Sequence, residues 1–146
     1  MDDLENFLQW WMENRNIQVD FEDLNSLVFD DQLSGVVLYR QPPYQVQLFL
    51  VPPNCEIDDH THPNVDSYEV YVNGDVDFRV NGEISSEHVI RIHPTTSHGG
   101  SFGERGGCFI SVQKWLNDVT PSSVGADWKD KEGNVHGKAY SMRDKL

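Results

Sequence analysis

Three histidines are the residues in this chain whose type and spacing favour metal chemistry. One residue separates His60 from His62, and His98 follows later in the chain. In an extended backbone alternate side chains point to the same face, so His60 and His62 would present both imidazoles to one side of a strand. Neutral imidazoles are common ligands of divalent metal ions. The spacing predicts one metal site formed by the three histidines, although two surface histidines in a turn would look the same.

Short β-type segments must position these histidines. Residues 67–72 are rich in aromatic and β-branched side chains, and Asn-Gly pairs, a strong hairpin signal, follow at 73–74 and 81–82. The glycine-rich segment 103–107 is typical of a flexible hairpin connection. The sequence therefore predicts a histidine-bearing strand that leads into an antiparallel meander, with His98 on a later strand.

The rest of the chain indicates an all-β fold with one helix. Apolar residues recur at helical spacing within residues 1–16, which predicts an N-terminal helix that packs on its own domain or meets a partner. Residues 17–116 would form a jelly-roll or sandwich of short strands, and residues 117–146 an irregular tail. The predicted strands are 17–21, 26–29, 36–40, 44–51, 75–81, 87–93 and 108–115, with the first half of 44–51 half-buried.

Composition narrows the class of protein. The 146 residues suffice for one domain, and the formal net charge of −13 disfavours nucleic acid and anionic membranes as partners. Two cysteines, Cys55 and Cys108, cannot form a disulfide framework, and residues 1–3 lack the features of a signal peptide. The expectation is a cytoplasmic protein with two buried, inert thiols.

Residues 52–115 resemble the cupin superfamily. His60 and His62 match the paired histidines of its first motif, Gly74 matches the glycine that closes that motif, and His98 matches the histidine of its second motif. The resemblance implies a cupin-type jelly-roll β-barrel that holds a divalent transition metal, iron first, with zinc, manganese or nickel as alternatives.

One departure from the cupin pattern leaves the fourth ligand open. Ser67 occupies the position of the family's glutamate, while Asp66 and Glu69 lie beside it. Asp66 could coordinate through a bulge, Glu69 could act as a base or assist a ligand, or the three histidines could act alone, as in some cupin dioxygenases. We favour the three histidines as the protein's metal ligands. Glu69 is then the expected catalytic side chain, together with Tyr71, which lies on the same strand face.

Two function classes follow. The first is a metal-dependent, dioxygenase-like enzyme that acts on a small molecule. The second is a non-catalytic module that binds a ligand or a protein. The aromatic N-terminal helix and the acidic surface favour this second class. A homodimer is expected in either case. Arg79 and Arg91 are interpreted as solvated unless they enter the barrel and bind an anion. His93 is interpreted as a turn or strand-end residue that does not bind metal, and His88 and His136 as surface residues.

Overall fold

The computed structural model describes residues 2–14, 34–122, 128–130, 135–136 and 140–141. The strands predicted at 17–21 and 26–29 lie outside these ranges. The described elements are one helix and ten strands, which confirms the all-β prediction: α1 Asp3–Asn14, β1 Ser34–Gln41, β2 Tyr44–Val51, β3 Cys55–His60, β4 Val65–Val80, β5 Glu83–Ser85, β6 Val89–Ile92, β7 His98–Trp115, β8 Trp128–Asp130, β9 Val135–His136 and β10 Tyr140–Ser141. No helix in the described ranges is long and apolar enough to cross a membrane.

Two long strands organise the sheet. Strands β4 and β7 pair in antiparallel fashion from Val65 opposite Trp115 to Val80 opposite His98. The other edge of β7 pairs with β2 along its second half and with β3 along its first half. The other edge of β4 pairs with β6 and β5. Every strand near the histidines is therefore placed by the β4–β7 pair.

The β4–β7 pair bends where a hairpin and a loop were predicted, and both predictions are wrong. The Asn-Gly pair at 73–74 does not form a hairpin, and 103–107 is not a loop, because both segments lie inside the long strands. Gly74 has a φ of +105°, Gly106 has a φ of +62°, and the register shifts between Gly74 and Val76. The positive φ values let both strands bulge and bend without losing their partner.

The second Asn-Gly pair behaves as predicted. Asn81 and Gly82 both have positive φ, 51° and 81°, and Val80 pairs with Glu83 across the turn. This is the backbone signature of a type I′ hairpin, which connects β4 to β5. The same dipeptide thus turns the chain at 81–82 and bends a strand at 73–74.

The helix α1 covers one side of the sheet. The side chain of Asp2 accepts a hydrogen bond from the backbone N–H of Glu5 at 2.8 Å and caps the helix. Leu4, Phe7 and Trp11 are buried against β2, β4 and β7. The helix therefore packs on its own domain, the first of the two predicted alternatives.

The C-terminal segment is more regular than predicted. Strand β8 pairs with β3, β9 pairs with β8, and β10 pairs in parallel with β1. Within residues 117–146, the described strands β8, β9 and β10 lie at the two ends of the strand order, where an irregular tail was predicted.

Replacing Gly74 with alanine is expected to destabilise the fold by about 2 kcal/mol or more, because the residue needs a positive φ and a Cβ would collide with the backbone of Gly106 and Gly107. Gly82 is the matched control, since its φ is also positive but a Cβ there would meet nothing within 4 Å. We expect Gly82→Ala to cost about 1 kcal/mol. Urea unfolding measures both, and equal losses would contradict the steric argument.

Candidate metal centre and cavity

The three predicted histidines converge in the structure. His60 ends β3, His98 begins β7, and the two residues pair across the sheet. His62 lies just beyond the end of β3. Their ring centroids are 4.4 to 5.4 Å apart. One nitrogen from each ring lies within 4.8 Å of the other two, so the three side chains could hold one metal ion.

The backbone orients two of the imidazoles. Nδ1 of His60 lies 2.7 Å from the carbonyl oxygen of Asp58, and Nδ1 of His98 lies 3.1 Å from that of Thr96. A carbonyl only accepts, so each Nδ1 carries the proton and each Nε2 keeps its lone pair. Hydrogen bonds of this kind fix the tautomer and direction of metal-binding histidines.

Burial favours the neutral forms of His62 and His98. Desolvation and the neighbouring His60 and His98 lower the pKa of His62 to about 4. Desolvation also lowers the pKa of His98. At neutral pH both rings are uncharged, which is the form that binds a cation. Histidine side chains in their neutral form are suitable ligands for a divalent transition metal ion.

An arginine holds the strands beside the histidines together. The guanidinium of Arg79 donates to Asp59 at 3.0 Å, to the carbonyl of Ile57 at 3.0 Å and to Ser101 at 2.6 Å, and it pairs with Glu56 at 2.7 Å. Arg79 was predicted to be solvated or to bind an anion inside the barrel. Instead it lines the cavity and joins β3, β4 and β7.

The histidines lie in an open cavity enclosed by the sheet. The empty space in the cavity, together with the open solvent at its mouth, has a volume of about 720 Å³. We call its aliphatic and aromatic side chains the apolar wall, which consists of Phe49, Ile57, Val65, Phe78, Val80, Ile90, Ile92 and Phe109. The other lining residues are His60, His62, Ser67, Glu69, Arg79, His98, Gly99, Ser111 and Gln113. The cavity is therefore largely apolar, as small-molecule sites usually are.

Glu69 is a buried carboxyl group in this cavity. Its Oε1 accepts hydrogen bonds from the hydroxyls of Ser67 at 3.3 Å and Ser111 at 3.2 Å. Its Oε2 is buried and has no hydrogen-bond partner. Burial raises the pKa of Glu69 to about 7, although the two serine hydroxyls act in the opposite direction. A carboxyl group that titrates near neutral pH can take up or release a proton there.

A buried chain of amides supports Glu69. Gln113 donates to Ser111 at 3.1 Å and to Gln47 at 2.9 Å, and its own oxygen accepts from Gln45 at 2.9 Å and from Trp115 at 2.9 Å. Gln45 and Gln47 are 0% exposed, so the prediction of a half-buried first half of 44–51 is wrong. The amides can be buried because they bond to one another.

Tyr71, which was predicted as a catalytic side chain, is not among the residues that line the cavity. It pairs with Phe109 in the same unbroken register that places Glu69 opposite Ser111, and the register shifts only beyond Tyr71. Its hydroxyl nevertheless donates to the carbonyl of Gly74 at 2.9 Å and its ring stacks on His88. Strand alternation alone therefore does not place the Tyr71 side chain in the cavity.

Asp66 is also outside the cavity. Its carboxylate pairs with Arg91 at 2.7 Å, on the strand face opposite Val65 and Ser67, which line the cavity. The alternative in which Asp66 coordinates the metal through a bulge is therefore wrong. Arg91 also pairs with Asp2 at 3.0 Å and so ties the helix to the sheet, in place of the predicted solvated role.

The remaining candidates take structural or surface positions. Cys55 and Cys108 are buried, and burial raises the pKa of Cys108 to about 11 despite its hydrogen bond to Asn73. The side chain of His93 is 60% exposed. The side chain of His136 lies outside what the structure describes. The sequence reasoning missed Ser111 and Gln113, which alternate with buried neighbours in the strand predicted at 108–115 and so share one face.

Comparisons with known proteins show the fold alone. No protein-family model and no curated protein matches the chain. Among solved structures, KdgF from Halomonas sp. superposes with a TM-score of 0.54 at 16% identity, over 63% of this chain and 86% of that chain. An uncharacterised protein with a double-stranded β-helix domain from Klebsiella pneumoniae gives 0.56 at 19%, over 69% and 91%. An RmlC-like cupin from Shewanella frigidimarina gives 0.53 at 17%, over 62% and 82%. The chain therefore has the cupin jelly-roll fold, which confirms the resemblance at that level.

Replacing Gly99 with alanine is expected to lower metal affinity about tenfold or more. A Cβ at Gly99 would lie 2.5 Å from Oδ1 of Asp59 and 2.6 Å from the carbonyl of Ile57, which would push β3 and His60 away from His98. Gly100 is the matched control, because a Cβ there would meet its nearest neighbour, Phe102, at 3.4 Å. Titration with Zn²⁺ measures both variants, and equal affinities would contradict this role of Gly99.

The Glu69→Gln variant is expected to gain stability relative to the wild type as pH rises from 4.5 to 7. The folded state keeps the proton of Glu69 up to a pKa of about 7, whereas the ordinary value is 4.5. Between these values the folded wild type binds more protons than the unfolded chain, so its stability falls with rising pH. Glutamine does not titrate. Urea unfolding with a chelator should show a difference that grows by up to about 3 kcal/mol, and a constant difference would contradict the burial argument.

Proposed function

We propose that this protein binds one divalent transition metal ion through His60, His62 and His98, and acts as a metal-dependent, dioxygenase-like enzyme on a small molecule held in the adjoining cavity. The observation that carries the proposal is the convergence of three imidazole rings within 4.8 Å of one another, at the wall of a largely apolar cavity. Three protein ligands leave coordination positions for water and substrate, which is typical of catalytic metal sites.

Iron is the first candidate for the ion, and zinc, manganese and nickel are alternatives. Imidazole ligands suit each of these metals, so the donor set does not select among them. A bound ion would supply a Lewis-acidic centre and, in the case of iron, redox chemistry. The chain contributes the geometry through the Asp58 and Thr96 carbonyls, which direct the two rings.

Glu69 is the residue that we propose for proton transfer. Its Oε1 is held by the hydroxyls of Ser67 and Ser111, so Oε2 is the oxygen that can accept or donate a proton. Its pKa of about 7 lets both protonation states occur at neutral pH. The apolar wall lowers the polarity around Glu69, which strengthens the electrostatic interactions inside the cavity.

The alternative is a non-catalytic binding module. The aromatic N-terminal helix was one motive for this alternative, but Leu4, Phe7 and Trp11 are buried against the helix's own barrel. The apolar face of the helix is thus largely used in the core. This burial weakens the argument for a module that docks a protein through the helix, and we therefore retain the metal-dependent enzyme as the proposal.

Protein produced without an affinity tag is expected to carry about one metal ion per chain, measured by elemental analysis. His60→Ala, His62→Ala and His98→Ala should each lose the ion, because two imidazoles bind a divalent ion much more weakly than three. His93→Ala is the control, since that side chain is 60% exposed and lies outside the cluster. The proposal would be contradicted if folded wild-type protein held no metal after incubation with metal ions. It would also be contradicted if the histidine variants had the same metal content as the wild type.

A second measurement separates a catalytic metal from a structural one. When the protein is loaded with Mn²⁺, water should exchange at the open positions and increase the relaxation rate of bulk water protons. A fully coordinated ion would give no such increase. That result would favour the binding module over the enzyme.

A further inference from the structure

We infer that the cavity binds a small molecule with an apolar body and an N–H or O–H group, which donates a hydrogen bond to Oε2 of Glu69. This ligand class rests on the proposed small-molecule role of the cavity and deepens it. It does not depend on the identity of the metal. Glu69 would then be a second point of recognition, in addition to the three histidines.

The first step is an account of the polar atoms that line the cavity. Gln113 uses both of its amide hydrogens and both lone pairs of its oxygen within the protein. The hydroxyl of Ser111 accepts from Gln113 and donates to Glu69, and Ser67 donates to Glu69 as well. These three side chains therefore have their main hydrogen bonds filled and offer a ligand little.

Oε2 of Glu69 is the exception among these groups. The residue is only 8% exposed, and Oε2 is buried without a hydrogen-bond partner. A buried polar atom without a partner costs free energy in either protonation state. The same residue lines a cavity with room for a ligand. A donor group on the ligand would satisfy this atom and recover that cost.

The amide chain fixes which oxygen is presented. Because Gln113 donates to Ser111, the hydroxyl hydrogen of Ser111 must point away from Gln113 and towards Oε1 of Glu69. Ser67 donates to the same oxygen. Oε1 is therefore held as an acceptor by two donors. Oε2 is left as the oxygen without a donor.

Charge argues against an anionic group at this end of the ligand. Arg79 is the cation that lines the cavity, and it is already paired with Glu56 at 2.7 Å and Asp59 at 3.0 Å. Two carboxylates outweigh one guanidinium, and Glu69 adds a third acidic group. A carboxylate or phosphate near Glu69 would meet no free positive charge among the described lining residues. A neutral or positively charged donor fits instead.

The body of the ligand must match the apolar wall. Phe49, Phe78 and Phe109 pack against one another at centroid distances of 5.0 and 5.4 Å, and aliphatic side chains complete the surface. Apolar groups on a ligand would be buried against these rings. The expected ligand is thus an aromatic or branched aliphatic amine or alcohol.

Four probes of similar shape test the inference on metal-free protein at pH 8, where Glu69 is largely ionised: benzylamine, benzyl alcohol, acetophenone and toluene. Binding is followed through the methyl NMR signals of Ile57, Ile90 and Ile92, which lie in the apolar wall. The wild type should bind benzylamine and benzyl alcohol about tenfold or more tightly than toluene and acetophenone, which have no donor. Comparison of the amine with the alcohol separates charge from hydrogen bonding.

Glu69→Gln should reverse the preference. The glutamine oxygen is expected to accept from Ser67 and Ser111, which leaves its NH₂ group in the place of Oε2. This variant should bind acetophenone more tightly than benzylamine. Asp66→Asn is the matched control, because the same change of carboxylate to amide there lies outside the cavity. That variant should keep the wild-type order of affinities.

The inference would be overturned if the wild type bound toluene as tightly as benzylamine, or if Glu69→Gln kept the wild-type order of affinities. It would also be overturned if none of the probes shifted the methyl NMR signals of the three isoleucines. The backbone NMR spectrum of each variant shows whether it is folded. Metal content is measured separately, so loss of the proposed metal site leaves this test valid. Loss of donor preference likewise leaves the metal site standing.

Discussion

The continuous pairing of β4 with β7 is the constraint on which the rest of the structure depends. One arm of this pair places Val80 opposite His98, and the other places Glu69 opposite Ser111. His98 of the candidate metal centre and the buried carboxyl group therefore belong to the same two strands, on opposite sides of the bend, and β3 adds His60 by pairing with β7. The bend exists because glycines allow the two backbones to approach where any Cβ would collide. Without it, a straight two-stranded ribbon could not bring both groups to one cavity.

Burial sets the electrostatic character of the cavity. The same physical cause, loss of water around an ionisable group, lowers the pKa of His62 and raises that of Glu69. Both groups are thereby pushed towards their neutral forms near pH 7. The charges that remain close by are those of Arg79 and its two carboxylate partners, which leave an excess of negative charge. An incoming cation would be attracted by this excess.

The sequence predicted the convergence of the three histidines better than their surroundings. The spacing of a His-x-His pair is a local feature that can be recognised in the sequence. The structure brings His60, His62 and the later His98 together as expected. The Asn-Gly pairs show where local reasoning ends. They are identical dipeptides, yet the pair at 81–82 forms a hairpin and the pair at 73–74 a bulge, because Cys108 and Gly107 of the distant strand β7 pair with Asn73 and Gly74. The glutamines of β2 were misjudged for a similar reason. Gln45 and Gln47 look like a solvated face until Gln113, more than sixty residues away, supplies their hydrogen bonds.

The main-chain anchors of His60 and His98 bear on how this protein could vary over evolution. The atoms that hold the two rings are the carbonyls of Asp58 and Thr96, which every amino acid possesses. Positions 58 and 96 can therefore change identity during divergence without altering the direction of the rings, as long as the strand ends keep their paths. Among distant relatives, the anchoring of such a centre would leave no trace in an alignment and would be found only by comparing backbones.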